Sequence, residues 1–143
     1  MTIYQISVFV ENKSGKLSEI TGVLAGAGID IRALSIADTT DFGVLRLIVS
    51  EPDRALAVLR AAGLTVSRTE VVGVCLADKP GSLHRVLETL SQAAIAVEYA
   101  YAFLGSEQGS AYVILRVEDN AKAADVLRAN GIELPEAGEV YGI

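Results

Sequence analysis

The chain has 143 residues, of which 51% are hydrophobic and 21% charged, and its formal net charge at pH 7 is -6. This composition supplies enough apolar material for a packed core and argues against disorder. An acidic chain without a cluster of Lys and Arg is a poor partner for nucleic acid. The single cysteine, Cys75, excludes an internal disulfide and favours a reducing cytoplasm.

Membrane insertion is also excluded by the sequence. The longest apolar run, from Ile20 to Ile29, is bounded by Glu19 and Asp30, and it is about half as long as a membrane-spanning helix requires. The first residues lack the basic and apolar regions of a signal peptide. We therefore predict a soluble, cytoplasmic protein that contacts no membrane.

The strand and helix patterns of the first half follow one another in a clear order. Alternating or continuous apolar residues predict strands, and apolar residues at helical spacing predict amphipathic helices. The predicted elements are a strand at Ile3–Val10, a helix over Leu17–Ala27, a strand at Ile29–Ala37, a turn at Asp38–Asp41, a strand at Gly43–Val49, a helix from Pro52 to Gly63, and a strand from about Thr65.

The second half repeats the first. Residues 12–17 align with residues 78–83 at an offset of 66, and residues 59–61 align with 127–129 at an offset of 68. The two added residues fall in the loop at 105–109, where surface hairpins tolerate insertions. The chain is therefore predicted to contain two domains, residues 1–69 and residues 70–143.

The second copy has the same predicted elements. These are a strand at Val71–Ala77, a helix at Gly81–Ala94, a hairpin of Ala96–Leu104 with Ser110–Val117, a helix at Asn120–Asn130, and a closing strand near Glu139–Ile143. The order βαββαβ is the ferredoxin-like plan of the α+β class, with an antiparallel sheet and both helices on one face. Its bare sheet edges favour a homodimer.

The turns that open the two copies resemble a known family. Asp78-Lys79-Pro80-Gly81-Ser82-Leu83, with Asn12-Lys13-Ser14-Gly15-Lys16-Leu17 in the first copy, resembles the loop between the first strand and first helix of the ACT domain. Gly28-Ile29-Asp30-Ile31 resembles the start of that family's second strand. The duplication is similar to small stand-alone tandem ACT proteins. The resemblance implies regulatory binding of an amino acid between the loop of one unit and the second strand of its neighbour.

The residues also fit such a ligand by their chemistry. A helix N-terminus offers amide hydrogens and a favourable dipole to a carboxylate, and Gly15 permits close approach. Asn12 and Asp30 offer oxygen acceptors to an ammonium group. Because Asp30 aligns with Ala96, we expect unequal sites, with the Asn12/Asp30 site binding better. The candidate ligand-binding residues are Asn12, Lys13, Ser14, Gly15, Lys16, Leu17, Asp30 and Ile31 in the first copy, and Asp78, Lys79, Pro80, Gly81, Ser82 and Leu83 in the second.

Simpler structural roles compete with each of these assignments. Asn12 and Asp78 also suit helix N-caps or turns, Gly15 and Gly81 also suit turns, and Asp30 also suits an exposed strand start. Other chemically notable residues have simple structural interpretations as well: Cys75 is expected in the core, His84 on a solvated helix face, and Tyr99, Tyr101 and Phe103 in packing between units, with a pocket wall as the alternative.

Enzymatic function is not favoured. The sequence offers no acid–base or nucleophilic constellation matched to His84 or Cys75, and one residue of each type cannot form a metal site. We therefore predict no catalytic residue, metal or cofactor. The expected partners are a free amino acid as effector, a second copy and a regulated enzyme. The alternative is an interaction or oligomerisation module that binds no metabolite.

Overall fold

The computed structural model describes residues 2–38, 41–105 and 108–142. Its contacts divide the chain into two compact units. The first unit comprises Tyr4–Thr69, and the second comprises the chain from Glu70 onward together with the residues up to Ile3. Parts of the predicted turn at 38–41, of the predicted loop at 105–109, and the terminal Ile143 lie outside the described residues.

The first unit contains three complete strands, two helices and the beginning of a fourth strand. These elements are β1 (Ile3–Glu11), α1 (Lys16–Gly26), β2 (Ile31–Asp38), β3 (Phe42–Val49), α2 (Pro52–Ala61) and the first residues of β4 (Val66–Ala77). The strand order is β2-β3-β1-β4, and β3 is antiparallel to both of its neighbours. The predicted βαββαβ order and antiparallel sheet are therefore confirmed for this unit.

Side chains along β1 and β3 alternate between the sheet face that packs against the helices and the opposite face. Ile6 pairs with Leu47 and Val8 pairs with Leu45, and all four side chains are buried. They form one core cluster with Ile20 and Leu24 of α1 and with Ala55 and Leu59 of α2. The apolar faces of the two predicted helices thus cover one face of the sheet, as the spacing of their apolar residues predicts.

The second unit uses the later part of β4 as its first strand. The remaining elements are α3 (Ser82–Gln92), β5 (Tyr99–Leu104), β6 (Ser110–Arg116), α4 (Asn120–Ala129) and α5 (Ala137–Tyr141). The strand order is β4-β6-β5 with antiparallel pairing. Val74, Leu115, Leu90 and Leu127 lie in its core cluster, which repeats the packing of the first unit.

The predicted closing strand near Glu139–Ile143 is wrong, because Ala137–Tyr141 forms α5. In the first unit, the amide of Phe9 donates to Thr65 O at 2.9 Å, where the last strand begins. The equivalent bond in the second unit joins Cys75 N to Glu133 O, also at 2.9 Å, but it forms only an isolated bridge. Two residues later Pro135 supplies no amide hydrogen, so a ladder cannot continue through it.

Helix α5 is an element that the repeat did not predict. The Tyr112 hydroxyl donates to Glu139 at 3.4 Å, and Tyr112 alternates along β6 with the core residues Val113 and Leu115. The C-terminal segment therefore packs on the sheet face opposite α3 and α4. A capping box between Glu136 and Glu139 fixes the start of α5.

Candidate functional site

The turn between β1 and α1 leads into the helix at the position that the sequence predicted. Gly15 is the N-cap of α1 at φ 85°, in the left-handed region, where a residue without Cβ is favoured. Lys16 and Leu17 follow as the first helical residues. Because Gly15 occupies the cap position and no side chain caps the helix, the interpretation of Asn12 as an N-cap is wrong.

The corresponding turn in the second unit is nearly identical. Gly81 is the N-cap of α3 at φ 90°, and no side chain caps this helix either. Asp78 is therefore not an N-cap; its amide donates to Gly109 O at 2.8 Å and holds the strand end instead. The amide of Asn12 makes the equivalent bond to Asp41 O at 2.9 Å. The repeat thus preserves the backbone of both turns.

A cavity of about 360 Å³ borders the first turn. Four predicted site residues line it together with four that the prediction did not include: Asn12, Lys13, Lys16 and Leu17, with Val10, Glu11, Ile36 and Gly43. The lining combines the apolar residues Val10, Leu17 and Ile36 with Asn12 and three charged residues. Such a mixed lining and such a volume are typical of small-molecule sites.

Ion pairs neutralise both lysines of the first cavity. Lys13 Nζ lies 2.9 Å from Glu11 Oε2, and Lys16 Nζ lies 3.4 Å from Glu19 Oε2. The hydrogen bond from Lys13 lowers the pKa of Glu11, and the same bond raises the pKa of Lys13. Both shifts favour the charged forms, so this pair remains ionised throughout the neutral pH range.

Asp30 and Ile31 lie at the other end of α1. They line a separate, open cavity of about 460 Å³ with Ser18, Thr21, Gly22, Ala25 and Ile29. Asp30 Oδ2 is 3.5 Å from Arg32 Nη1, and its amide donates to Ser50 Oγ at 3.0 Å. Since α1 has eleven residues, roughly 16 Å of helix separates Asn12 from Asp30 within the unit. The first unit therefore does not combine the two residues in one cavity.

A larger cavity, of about 490 Å³, borders the second turn. It lies between that turn and the chain that follows α4, and its lining comprises Cys75, Leu76, Ala77, Lys79, Pro80, Gly81, Ser82, Arg85, Val86, Gly131, Ile132 and Glu133. Four predicted residues are among these, whereas Asp78 and Leu83 are exposed and do not line it. The prediction missed Arg85, which an alignment of the two copies marks because it replaces Glu19.

Several other predicted roles can be compared with the structure. His84 is exposed on α3, as expected for a solvated helix position. Cys75 is partly exposed and lines the second cavity, so it is not a core residue. Tyr101 and Phe103 pair with Ile114 and Tyr112 across β5 and β6. Within the described part of the chain, no group of three His, Cys, Asp or Glu side chains could hold a metal ion.

Comparison with solved structures gives matches over nearly the whole chain. A search of curated proteins gave none. Protein BT0572 from Bacteroides thetaiotaomicron is similar at 40% identity and a TM-score of 0.93, covering 100% of this chain and 98% of that one.

Among the described residues, no helix has the length and apolar character needed to cross a membrane.

Structures of aspartate kinase subunits share the fold at lower identity. The ligand-free subunit from Thermus thermophilus is 14% identical with a TM-score of 0.64, covering 88% of this chain and 91% of that one. A structure of aspartokinase alpha and beta subunits is 18% identical with a TM-score of 0.53, covering 90% and 95%. The family model of an ACT domain pair matches residues 1–140. The resemblance seen in the sequence is thus confirmed, and the chain belongs to the ACT domain pair family.

Proposed function

We propose that this protein is a regulatory sensor that binds a free amino acid and modulates a partner protein. The observation that carries the proposal is the recurrence of one arrangement in both units. A glycine-capped helix entrance borders a cavity of about 360 Å³ in the first unit and about 490 Å³ in the second. Both volumes lie within the range that small ligands occupy.

The chemistry of the first cavity supports an amino acid as the ligand. The amide side chain of Asn12 and the paired charges of Glu11 and Lys13 offer donors and acceptors to a zwitterion. The apolar residues Leu17 and Ile36 in the lining offer contact to an aliphatic side chain. Asp30 contributes in this proposal only from another unit, since its own unit keeps it at the far end of α1.

A homodimer is part of the proposal because β2 is the outer strand of the first unit. Leu34 and Ile36 on this strand are 56% and 42% exposed, and Leu17 of α1, which lines the first cavity together with Ile36, is 43% exposed. The counterparts of Leu34 and Ile36 on β5 of the second unit are Ala100 and Ala102. An exposed edge with large apolar side chains is a surface that a second copy can pair with and cover.

Regulatory relatives support the wider role. The structure from Thermus thermophilus that shares this fold is described as the regulatory subunit of aspartate kinase, and the proposal extends such a role to this chain. It assigns no catalytic activity, no cofactor and no metal. Under this proposal the effector changes the affinity of the protein for a partner enzyme by binding more tightly to one of its conformations.

A thermal-shift screen against the twenty amino acids tests the proposal. A ligand at 100 times its dissociation constant should add about 2.7 kcal/mol of stability, which raises the unfolding midpoint by several degrees. Calorimetry with the best ligand then compares wild type with Asp30→Ala. Unchanged affinity and stoichiometry in that variant would remove Asp30 from the site.

The competing function is an interaction module without a metabolite. It predicts no stabilisation by any amino acid, purine or other small effector. Capture of the same partner enzyme with and without the best ligand distinguishes the two functions. A sensor gives ligand-dependent capture, whereas a simple module gives capture that the ligand does not alter.

A further inference from the structure

The two turn cavities differ in the charges that surround them. In the first unit, Lys13 and Lys16 are both held in ion pairs, with Glu11 at 2.9 Å and Glu19 at 3.4 Å. The turn therefore presents two cations and two carboxylates, and its net charge is zero. A ligand entering this cavity meets no unneutralised cation.

The second unit has lost both of these carboxylates. At the same offset of 66 residues, Ala77 replaces Glu11, Arg85 replaces Glu19 and Ser82 replaces Lys16, whereas Lys13 is kept as Lys79. Asp78 replaces Asn12, but it is exposed and does not line the second cavity. Within the described residues, no carboxylate forms an ion pair with Lys79 or Arg85. Arg85 Nη2 instead donates to the backbone oxygen of Asn130 at 2.7 Å, which fixes its guanidinium beside the cavity.

These charges select one class of ligand. The lining of the second cavity contains two cations, Lys79 and Arg85, and one carboxylate, Glu133. An acidic amino acid carries two carboxylates and one ammonium, so each of its charges has an opposite partner in this lining. A neutral amino acid would leave one of the two cations without an anion.

We propose that the two repeats bind different ligands. The first cavity takes an amino acid with a neutral, apolar side chain, and the second takes an acidic amino acid whose side-chain carboxylate lies between Lys79 and Arg85. This inference rests on the proposed amino-acid binding and adds the ligand class of each repeat. The chain then integrates two signals, and its two sites are not copies of one sensor.

Titration calorimetry of two single variants and one control variant tests this inference. L-glutamate and L-aspartate probe the second site, and L-leucine and L-valine probe the first. Lys79→Gln removes one cation, and Arg85→Glu restores the charge found at this position in the first unit. Each variant should lower the affinity for the acidic amino acid by about tenfold or more, while the affinity for the aliphatic one stays unchanged.

Arg60→Glu is the matched control, because Arg60 is an exposed arginine on α2. It reverses one charge of the chain without changing the second cavity, so its affinities should equal those of wild type. Arg85 also bonds to Asn130, and thermal unfolding of each variant therefore accompanies the titrations. Lys79→Gln is the decisive variant if Arg85→Glu is less stable, since Lys79 lines the cavity but is exposed, so that its replacement should not unfold the unit.

The outcomes separate this inference from the proposed function. Binding of an aliphatic amino acid at both sites, with none of an acidic one, would overturn the division of ligands and leave amino-acid sensing intact. Equal affinity for glutamate or aspartate in wild type and Lys79→Gln would also overturn it. No binding of these four amino acids would also overturn the division of ligands, whereas only the absence of stabilisation by all twenty amino acids would overturn the proposed function itself.

Discussion

Gly15 and Gly81 show how one residue type fixes a local structure in both repeats. Each adopts a positive φ, 85° and 90°, and a Cβ added at either position would meet no atom within 4 Å. Steric crowding therefore does not require glycine here. The requirement is conformational, because an L-residue with a side chain is disfavoured in the left-handed region.

Replacing a glycine by alanine should consequently lower stability in this turn and raise it within the helix that follows. Gly15→Ala should destabilise the first unit by roughly 1–2 kcal/mol, the cost of placing an L-residue at positive φ. Gly22→Ala is the control within α1, where a Cβ also meets no atom within 4 Å. It should stabilise by about 0.5–1 kcal/mol, because alanine favours a helix more than glycine does.

Urea unfolding measures both effects, provided that the m-value stays constant. The two variants change the same number of atoms at exposed positions, so burial does not separate them. Equal shifts of the two midpoints in one direction would contradict the assigned backbone conformation of Gly15.

Pro135 explains at the level of elements why the repeats end differently. Its counterpart in the first unit is Ser67, which lies within β4. The first backbone bond of the closing strand is present in both units, at Thr65 and at Glu133. Beyond it, proline has no amide hydrogen, and the chain turns to the other sheet face and forms α5.

Helix α5 should depend on its capping box because it has only five residues. Glu136→Ala removes a carboxylate that accepts from the backbone of the first turn, and it should reduce stability by about 1 kcal/mol. Amide exchange in residues 137–141 should accelerate by more than exchange in α4. Glu118→Ala, at an exposed carboxylate outside the capping box, should stay within about 0.5 kcal/mol of wild type.

The sequence contained signals for this helix that the repeat obscured. Glu136 and Glu139 have capping-box spacing, and Pro135 argues against a central strand. The prediction of a closing strand at 139–143 followed the order of the first copy instead. The local signals were correct here, because Pro135 lacks the amide hydrogen that a closing strand would need at this position.

At the scale of the whole molecule, the repeats differ in chemical character on an outer strand and around a turn. Leu34 and Ile36 on β2 correspond to Ala100 and Ala102 on β5, and Glu19 corresponds to Arg85. The buried positions keep similar apolar residues. Core packing constrains volume and polarity in both units, whereas edges and cavities can change without cost to the fold.

The proposed homodimer should therefore depend on one repeat more than on the other. Leu34→Lys places a charge on the exposed edge of β2 and should convert the dimer to a monomer. Ala100→Lys makes the equivalent change on β5 and should leave the dimer intact. Sedimentation velocity at several protein concentrations measures both, and a monomeric wild type or a monomeric Ala100→Lys variant would contradict the assignment.

The sequence by itself determined the duplicated βαββαβ order, the family and the position of both helix-entrance turns. These follow from local periodicity and glycine placement, which act over a few residues. The tertiary structure decided which groups surround each cavity and where Asp30 lies relative to Asn12. Those relations depend on strand register and on contacts between residues distant in the chain, such as Cys75 with Glu133. Short-range patterns do not encode these distances, and the fold sets them only when the sheet assembles.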